Sequence, residues 1–558
     1  MMKRWLVLFG MALRTANKNP AATLRLLAVP LYCLRRRALP QGRYAMLLAA
    51  LSLPLQAASA ADMDPSAAAQ LYGQHCQSCH GADRLGGMGP ALLPESLERL
   101  KPAEISNTIR QGRSATQMAG FADRLTEAQI SQLTAYVQSS PATPPRWSDA
   151  DMRASHRQPV ALSSLPAKPQ YTANPLNLFV VVEAGDHHVT VLDGERFRPI
   201  TRFASHYAVH GGPKFSPDGR FVYFSSRDGW VTQYDLYSLQ VVADIRVGLN
   251  TRNIAVSDDG NWILAGNTLP QTLVLLDAHG LAPVKTIAVR DAAGHPSRVS
   301  AVYEAAPRHS FVVALKDIPE LWEISYDRHA APVYPGLVHD YQMGEALAQP
   351  GFLTPRVTPL SMVLDDFYFD PSYQHVLGAS RSGQAQVISL DARSKVADLP
   401  LDGMPHLGSG ISFERDGHRI MATPNLKGGQ LSFVDMNSWQ LIRQVQLPGP
   451  GFFLRSHENT PYAWADSMMS AHKDTLSIID KRSLSVVRQL VLRPGKTTAH
   501  VEFTRDGRYA LVSVMENPGE LIVVDAQTLR EVAALPMAKP IGKYNVFNKV
   551  NRSEGTSH

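Results

Sequence analysis

Cysteine is nearly absent from this chain: three occur in 558 residues, at positions 33, 76 and 79. That scarcity leaves no further thiols to complete a structural zinc site. Long apolar runs are missing too. Outside the first 60 residues no window holds the 18 or more uninterrupted apolar residues of a membrane-spanning helix. The formal charge of +6 misleads, because nine of the 55 basic residues and none of the 49 acidic ones fall in residues 1–60. The remaining 46 basic groups face 49 acidic ones, a net of −3 that leaves no cationic footprint for nucleic acid.

Residues 1–60 read as an export leader. Arg35-Arg36-Arg37 and Arg43 form a charged region, Ala45 to Leu55 an apolar one, and Ala58-Ser59-Ala60 a small-residue cleavage site. The expected destination is a bacterial periplasm. Residues 1–34, with Cys33, lie upstream of a signal complete without them and are expected to reflect an early start assignment, with a membrane anchor as the alternative.

Both other cysteines stand in Cys76-Gln77-Ser78-Cys79-His80, the pattern of covalent c-type heme attachment. Two thiols on one helical turn add to two heme vinyl groups, and the adjacent histidine ligates iron. Electron transfer is therefore the first expectation. Met118, before a helix signalled by Thr126 and Leu125 to Val137, is placed as the second axial ligand, with Met88 the competitor. Residues 61–145 read as a small all-α cytochrome c domain and 146–170 as a linker.

Residues 171–558 repeat. Apolar strands end at Asp193, Asp235, Asp277, Ser325, Asp391, Asp435, Asp480 and Asp525, spaced mostly by 42 to 48 residues with one interval of 66. Asp-Gly turns such as Asp218-Gly219, Asp259-Gly260, Asp416-Gly417 and Asp506-Gly507 join strands into hairpins. Four strands per unit and eight units predict an all-β, eight-bladed β-propeller, with an excursion over one face in the long interval.

A c-type domain before an eight-bladed propeller resembles the cytochrome cd1 family, whose propeller binds heme d1. The resemblance rests on Tyr207-Ala208-Val209-His210, Ser226-Arg227-Asp228-Gly229, Met404-Pro405-His406-Leu407-Gly408, Leu454-Arg455-Ser456-His457 and Gly542 to Asn548. It implies that His210 ligates the d1 iron and that His406 and His457 lie over the distal face. Heme d1 carries several carboxylates, which forked cationic donors suit. Arg227, Arg252, Arg298, Arg381 and Arg455 are the candidates, with Tyr544 and Lys214 as further ones.

Within this family the resemblance leaves three activities open: oxidation of a propionate of dihydro-heme d1 to acrylate, nitrite reduction to nitric oxide, and non-catalytic heme d1 carriage. Ser409, and Met421 to Lys427, depart from the pattern of the nitrite reductases and favour the dehydrogenase. Desaturation removes two protons and two electrons, so the site needs a base; His500, just before a strand, is the candidate. The expected partners are the tetrapyrrole substrate, a small periplasmic electron carrier, and other proteins of heme d1 biosynthesis or nitrite reduction.

Overall fold

The computed structural model describes residues 65–87, 89–97, 100–113, 118–143, 145–206, 209, 212–334 and 348–556. Its first elements are helices Pro65–His75, Gln77–His80, Pro94–Leu97, Pro102–Gln111 and Glu127–Gln138. The last of these starts where the sequence signalled: the Thr126 hydroxyl accepts from the Gln129 amide while Gln129 reaches back to the Thr126 amide, a reciprocal cap. Tyr72, Ile105, Ile109, Leu125, Ile130 and Leu133 form this domain's core.

Among the described residues, the rest builds eight four-stranded antiparallel sheets. In seven of them the strands follow chain order, and the inner and outer edges differ in burial, as in one sheet where Thr498–Phe503 is buried throughout whereas Glu531–Met537 alternates with solvent. The buried edge therefore faces the axis. Seven sheets are continuous in sequence, but one pairs Pro540–Asn545 with Leu178–Glu183, so the two ends of the propeller close the ring in a single blade. Gly542 to Asn545 thus lies on the closing strand, and Val546 to Asn548 turns into the short helix Val546–Val550. The long interval supplies an outer strand, Pro355–Pro359; residues 335–347 within it lie outside the described residues.

The stretch after Pro145 is packed down rather than free. Its helix Asp149–Ser155 buries Met152 in the propeller core, and Arg157 pairs in antiparallel fashion with Asp244. Trp147 donates to the Arg246 carbonyl at 3.0 Å and lies under the Arg246 guanidinium at 4.9 Å. Trp147 and Leu85 also join Ala91, Leu93, Leu249 and Leu269 in one apolar cluster, which seats the small domain on the propeller.

At the other end of the chain, residues 551–556 cross four consecutive blades. Arg552 pairs with Glu304 and covers Tyr373, Glu554 pairs with Arg419 at 3.1 Å, and the Gly555 carbonyl accepts from Ser456 at 3.0 Å. Burial pushes the Glu304 carboxyl up to about 7 despite the Arg552 guanidinium beside it. A carboxyl raised above its ordinary value favours the fold while protonated, so stability falls as pH climbs from about 4.5 to about 7. Chemical unfolding across that range checks this, and Glu304→Gln flattens the slope.

Candidate functional site

In the small domain the attachment motif is arranged for a heme. Cys76 and Cys79 are both partly buried, and burial pushes the Cys76 thiol up to about 11. His80 is 7% exposed and its Nδ1 lies 2.8 Å from the Pro90 carbonyl. A carbonyl only accepts, so Nδ1 carries the proton and Nε2 keeps its lone pair for a metal. Burial also holds the ring below the usual histidine range, in the neutral form a ligand requires. Gly89 permits this seat, since a Cβ there would stand 2.5 Å from the His80 ring. Met118 packs on the same apolar cluster as Cys76, its carbonyl held by the Arg113 amide at 3.0 Å. Met88 lies outside the described residues. These residues fit a covalent heme with room for a thioether ligand.

The propeller site gathers around the inner strands. His406 precedes the strand Ile411–Arg415; its Nδ1 lies 2.9 Å from the Phe452 carbonyl and its ring 4.2 Å from the Phe452 ring. Phe452 and Phe453 stack edge to face at 4.7 Å, and Phe453 lies 4.6 Å from the ring of His500. Asp466 fixes this turn: its buried carboxylate accepts from the amides of Phe452, Phe453 and Met468 at 2.7 to 3.0 Å. His406 and His500, on the blades either side of the one that begins at Leu454–Arg455, are thereby linked through a pair of aromatic rings.

His500 is the most distinctive residue in the propeller. It is the extra residue of a bulge in the strand Thr498–Phe503, with φ +51, left-handed for a residue that carries a Cβ. It is 1% exposed, yet neither ring nitrogen has a partner. Burial, then the cations Lys543, Arg455 and Lys549, hold it well below the usual histidine range. Tyr544 lies edge-on at 5.2 Å, its phenol pushed up to about 12 by burial, and so stays protonated. Gly212 and Gly542 leave space for that ring; a Cβ on Gly542 would stand 2.8 Å from the hydroxyl.

Arg455 is 3% exposed; its Nη1 donates to the Leu454 carbonyl at 2.7 Å, and its Nε has no partner. Arg227 and Arg252 lie within each other's field, together with Arg113 from the small domain. Arg252 Nε donates to the Ser300 carbonyl at 2.6 Å. Lys214, pulled down to about 8 by burial, sits 5.7 Å over the Tyr303 ring, whose hydroxyl donates to Asp366 at 2.8 Å. An acidic macrocycle fits this set. Arg455 offers an orphaned buried donor, and the cations of several blades converge where carboxylates would be accepted.

Three sequence candidates sit differently. Arg298 is 5% exposed with its fork on Asp317, at 2.9 and 2.6 Å. Arg381 is exposed and pairs with Asp365 at 3.1 Å. His457 is fully buried but follows the inner strand at its far end, beside the C-terminal tail. There its Nδ1 accepts from the Asn459 amide and its carbonyl from Lys481. The structure does not bring His457 to His406 and His500. His210 lies outside the described residues; its neighbour Val209 pairs with Ser226.

Sequence reasoning missed Lys543, Glu502, Phe452 and Phe453. Only Lys543 left a trace, as a lysine in a strand otherwise suited to burial.

Known proteins match both parts. A family model described as "Cytochrome D1 heme domain" matches residues 173–549, and "Cytochrome C oxidase, cbb3-type, subunit III" matches residues 64–137. The chain is 55% identical over 510 residues to "Dihydro-heme d1 dehydrogenase" of Pseudomonas aeruginosa, covering 91% of this chain and 99% of that protein. It is 24% identical over 560 residues to a nitrite reductase of Stutzerimonas stutzeri, covering 90% and 97%. A solved structure, "Dihydro-heme d1 dehydrogenase NirN in complex with DHE", superimposes with TM-score 0.75 at 55% identity, covering 86% of this chain and 99% of that one. The chain therefore belongs to the cytochrome d1 heme domain family, with a cytochrome c domain in front of the propeller.

Proposed function

We infer that this protein is a dihydro-heme d1 dehydrogenase, which oxidises a propionate side chain of the tetrapyrrole to acrylate. The carrying observation is identity of 55% to a dehydrogenase over 91% of this chain, against 24% to a nitrite reductase over 90%. The export leader supports a periplasmic location; among the described residues no helix is long and apolar enough to cross a membrane.

The reaction converts CH2–CH2 to CH=CH, releasing two protons and two electrons. In our reading His500 takes a side-chain proton, because its ring is neutral and has both nitrogens unengaged. Tyr544 remains a protonated phenol beside it and orients the side chain by donating a hydrogen bond. Arg455, Arg227 and Arg252 hold carboxylates and fix the macrocycle against the base. His406 would face the bound macrocycle, and His210, as the family resemblance implies, would ligate its iron. Cys76, Cys79, His80 and Met118 hold the c-type heme, which when bound supplies a one-electron outlet toward a small electron carrier.

The test is anaerobic reaction of purified holoprotein with dihydro-heme d1, followed by visible spectroscopy beside a nitrite assay. Conversion to heme d1 without rapid nitric oxide formation is expected; fast multiple-turnover nitric oxide release overturns the assignment. Met118→Ala lowers the c-heme reduction potential in a potentiometric titration and leaves tetrapyrrole uptake intact. An unchanged potential shifts the ligand assignment to Met88.

A further inference from the structure

The carbonyl of His500 accepts a hydrogen bond from the Nζ of Lys543, on the closing strand Pro540–Asn545. Lys543 is 0% exposed and donates a second bond to the Ser513 hydroxyl at 2.9 Å. Ser513 lies on the strand that pairs with the bulged one. The bulge turns the His500 carbonyl out of its ladder, so without Lys543 it would be buried and unpaired. A left-handed residue with a side chain is strained and persists only where its surroundings over-determine it.

We propose that Lys543 is a positioning residue for His500: its ammonium pins the strained bulge that aims the imidazole, and its charge keeps that imidazole unprotonated. The proposal rests on His500 as the base. Two buried nitrogen bases this close compete for one positive charge. Burial pulls the Lys543 ammonium well below its ordinary value and the Glu502 carboxylate opposes this, but Lys543 has a carbonyl and a hydroxyl to receive its protons whereas the His500 ring has no partner. The proton therefore rests on Lys543. The other groups facing His500 are Arg455 from the strand Leu454–Arg455, Lys549 from the C-terminal helix, Tyr544 beside Lys543, and Glu502 on its own strand. Glu502 is engaged by the Asn548 amide at 3.0 Å.

Lys543→Met removes donor and charge; Lys543→Gln keeps a donor without the charge. With Lys543→Met, kcat falls about tenfold or more, as loss of base alignment implies. Tetrapyrrole affinity changes little, and the acid limb of the kcat/KM profile moves to higher pH, because removing a neighbouring cation raises the His500 pKa. Lys543→Gln recovers much of kcat but keeps the displaced limb. Substrate-free protein gives an independent readout: His500 ring 15N shifts titrate at higher pH in both variants than in the parent.

If neither the NMR titration nor the acid limb moves, the proposal is overturned, even where kcat falls. A moved titration with a fully active His500→Ala leaves the role of Lys543 standing and sinks the base assignment instead. Should Lys543→Met not fold, Lys543→Gln decides by the same two readouts.

Discussion

His500→Ala slows propionate desaturation by about 10²- to 10⁴-fold, the range a positioned general base contributes, while tetrapyrrole binding survives. The reason lies in what surrounds the ring. Phe453 and Tyr544 contribute packing and no proton acceptor, so among the residues packed on the bulge His500 alone carries an unprotonated nitrogen. His500→Gln, closer in volume, separates loss of the base from loss of packing and is expected to be equally slow. Single-turnover spectra in the absence of oxygen are the measurement; a rate within threefold of the parent protein removes His500 from the chemistry. A second signature concerns stability. The folded-state pKa of His500 lies below its ordinary 6.5, so the unfolded chain binds the proton more readily and stability is lost as pH falls below about 6.5. His500→Gln removes that contribution, steepest on the acid side.

What the sequence made legible was what short-range chemistry dictates. The Cys76-to-His80 motif, the Thr126 cap and the Asp-Gly hairpins each depend on residues within a few positions of one another, and all appear where expected. Eight strand repeats implied eight sheets for the same reason. The site was only half legible because its groups meet through ring closure. Lys543 reaches the His500 carbonyl from 43 residues away, and the aromatic pair Phe452–Phe453 reads as ordinary core until the axis is assembled. Arg298 and Arg455 look alike in sequence. Asp317, 19 positions from Arg298, occupies the fork of one, whereas Arg455 is left with an orphaned Nε. Likewise His457 follows an inner strand and His500 interrupts one, a distinction that only the bulge register reveals.

Arg455→Met separates binding from folding by sign. In the parent protein the guanidinium is buried, has an unpartnered Nε and is pulled down from its ordinary value by burial; Glu502 is the largest opposing influence. Such a cation is a burden on the substrate-free fold, since replacing incompletely compensated buried charge by an apolar side chain is often neutral or stabilising by about 1–4 kcal/mol. Once a macrocycle carboxylate meets it, the same group gains a charge-assisted hydrogen bond worth about 1.5–3 kcal/mol. The methionine variant should therefore melt at the same temperature as the substrate-free parent or above it, yet bind tetrapyrrole about 10- to 150-fold more weakly. Thermal unfolding without ligand and a visible-absorption titration with it give the two numbers. A variant that loses stability and keeps its affinity would make Arg455 a brace for Glu502 and Tyr544, and would pass carboxylate recognition to the pair Arg227 and Arg252 on the opposite blades.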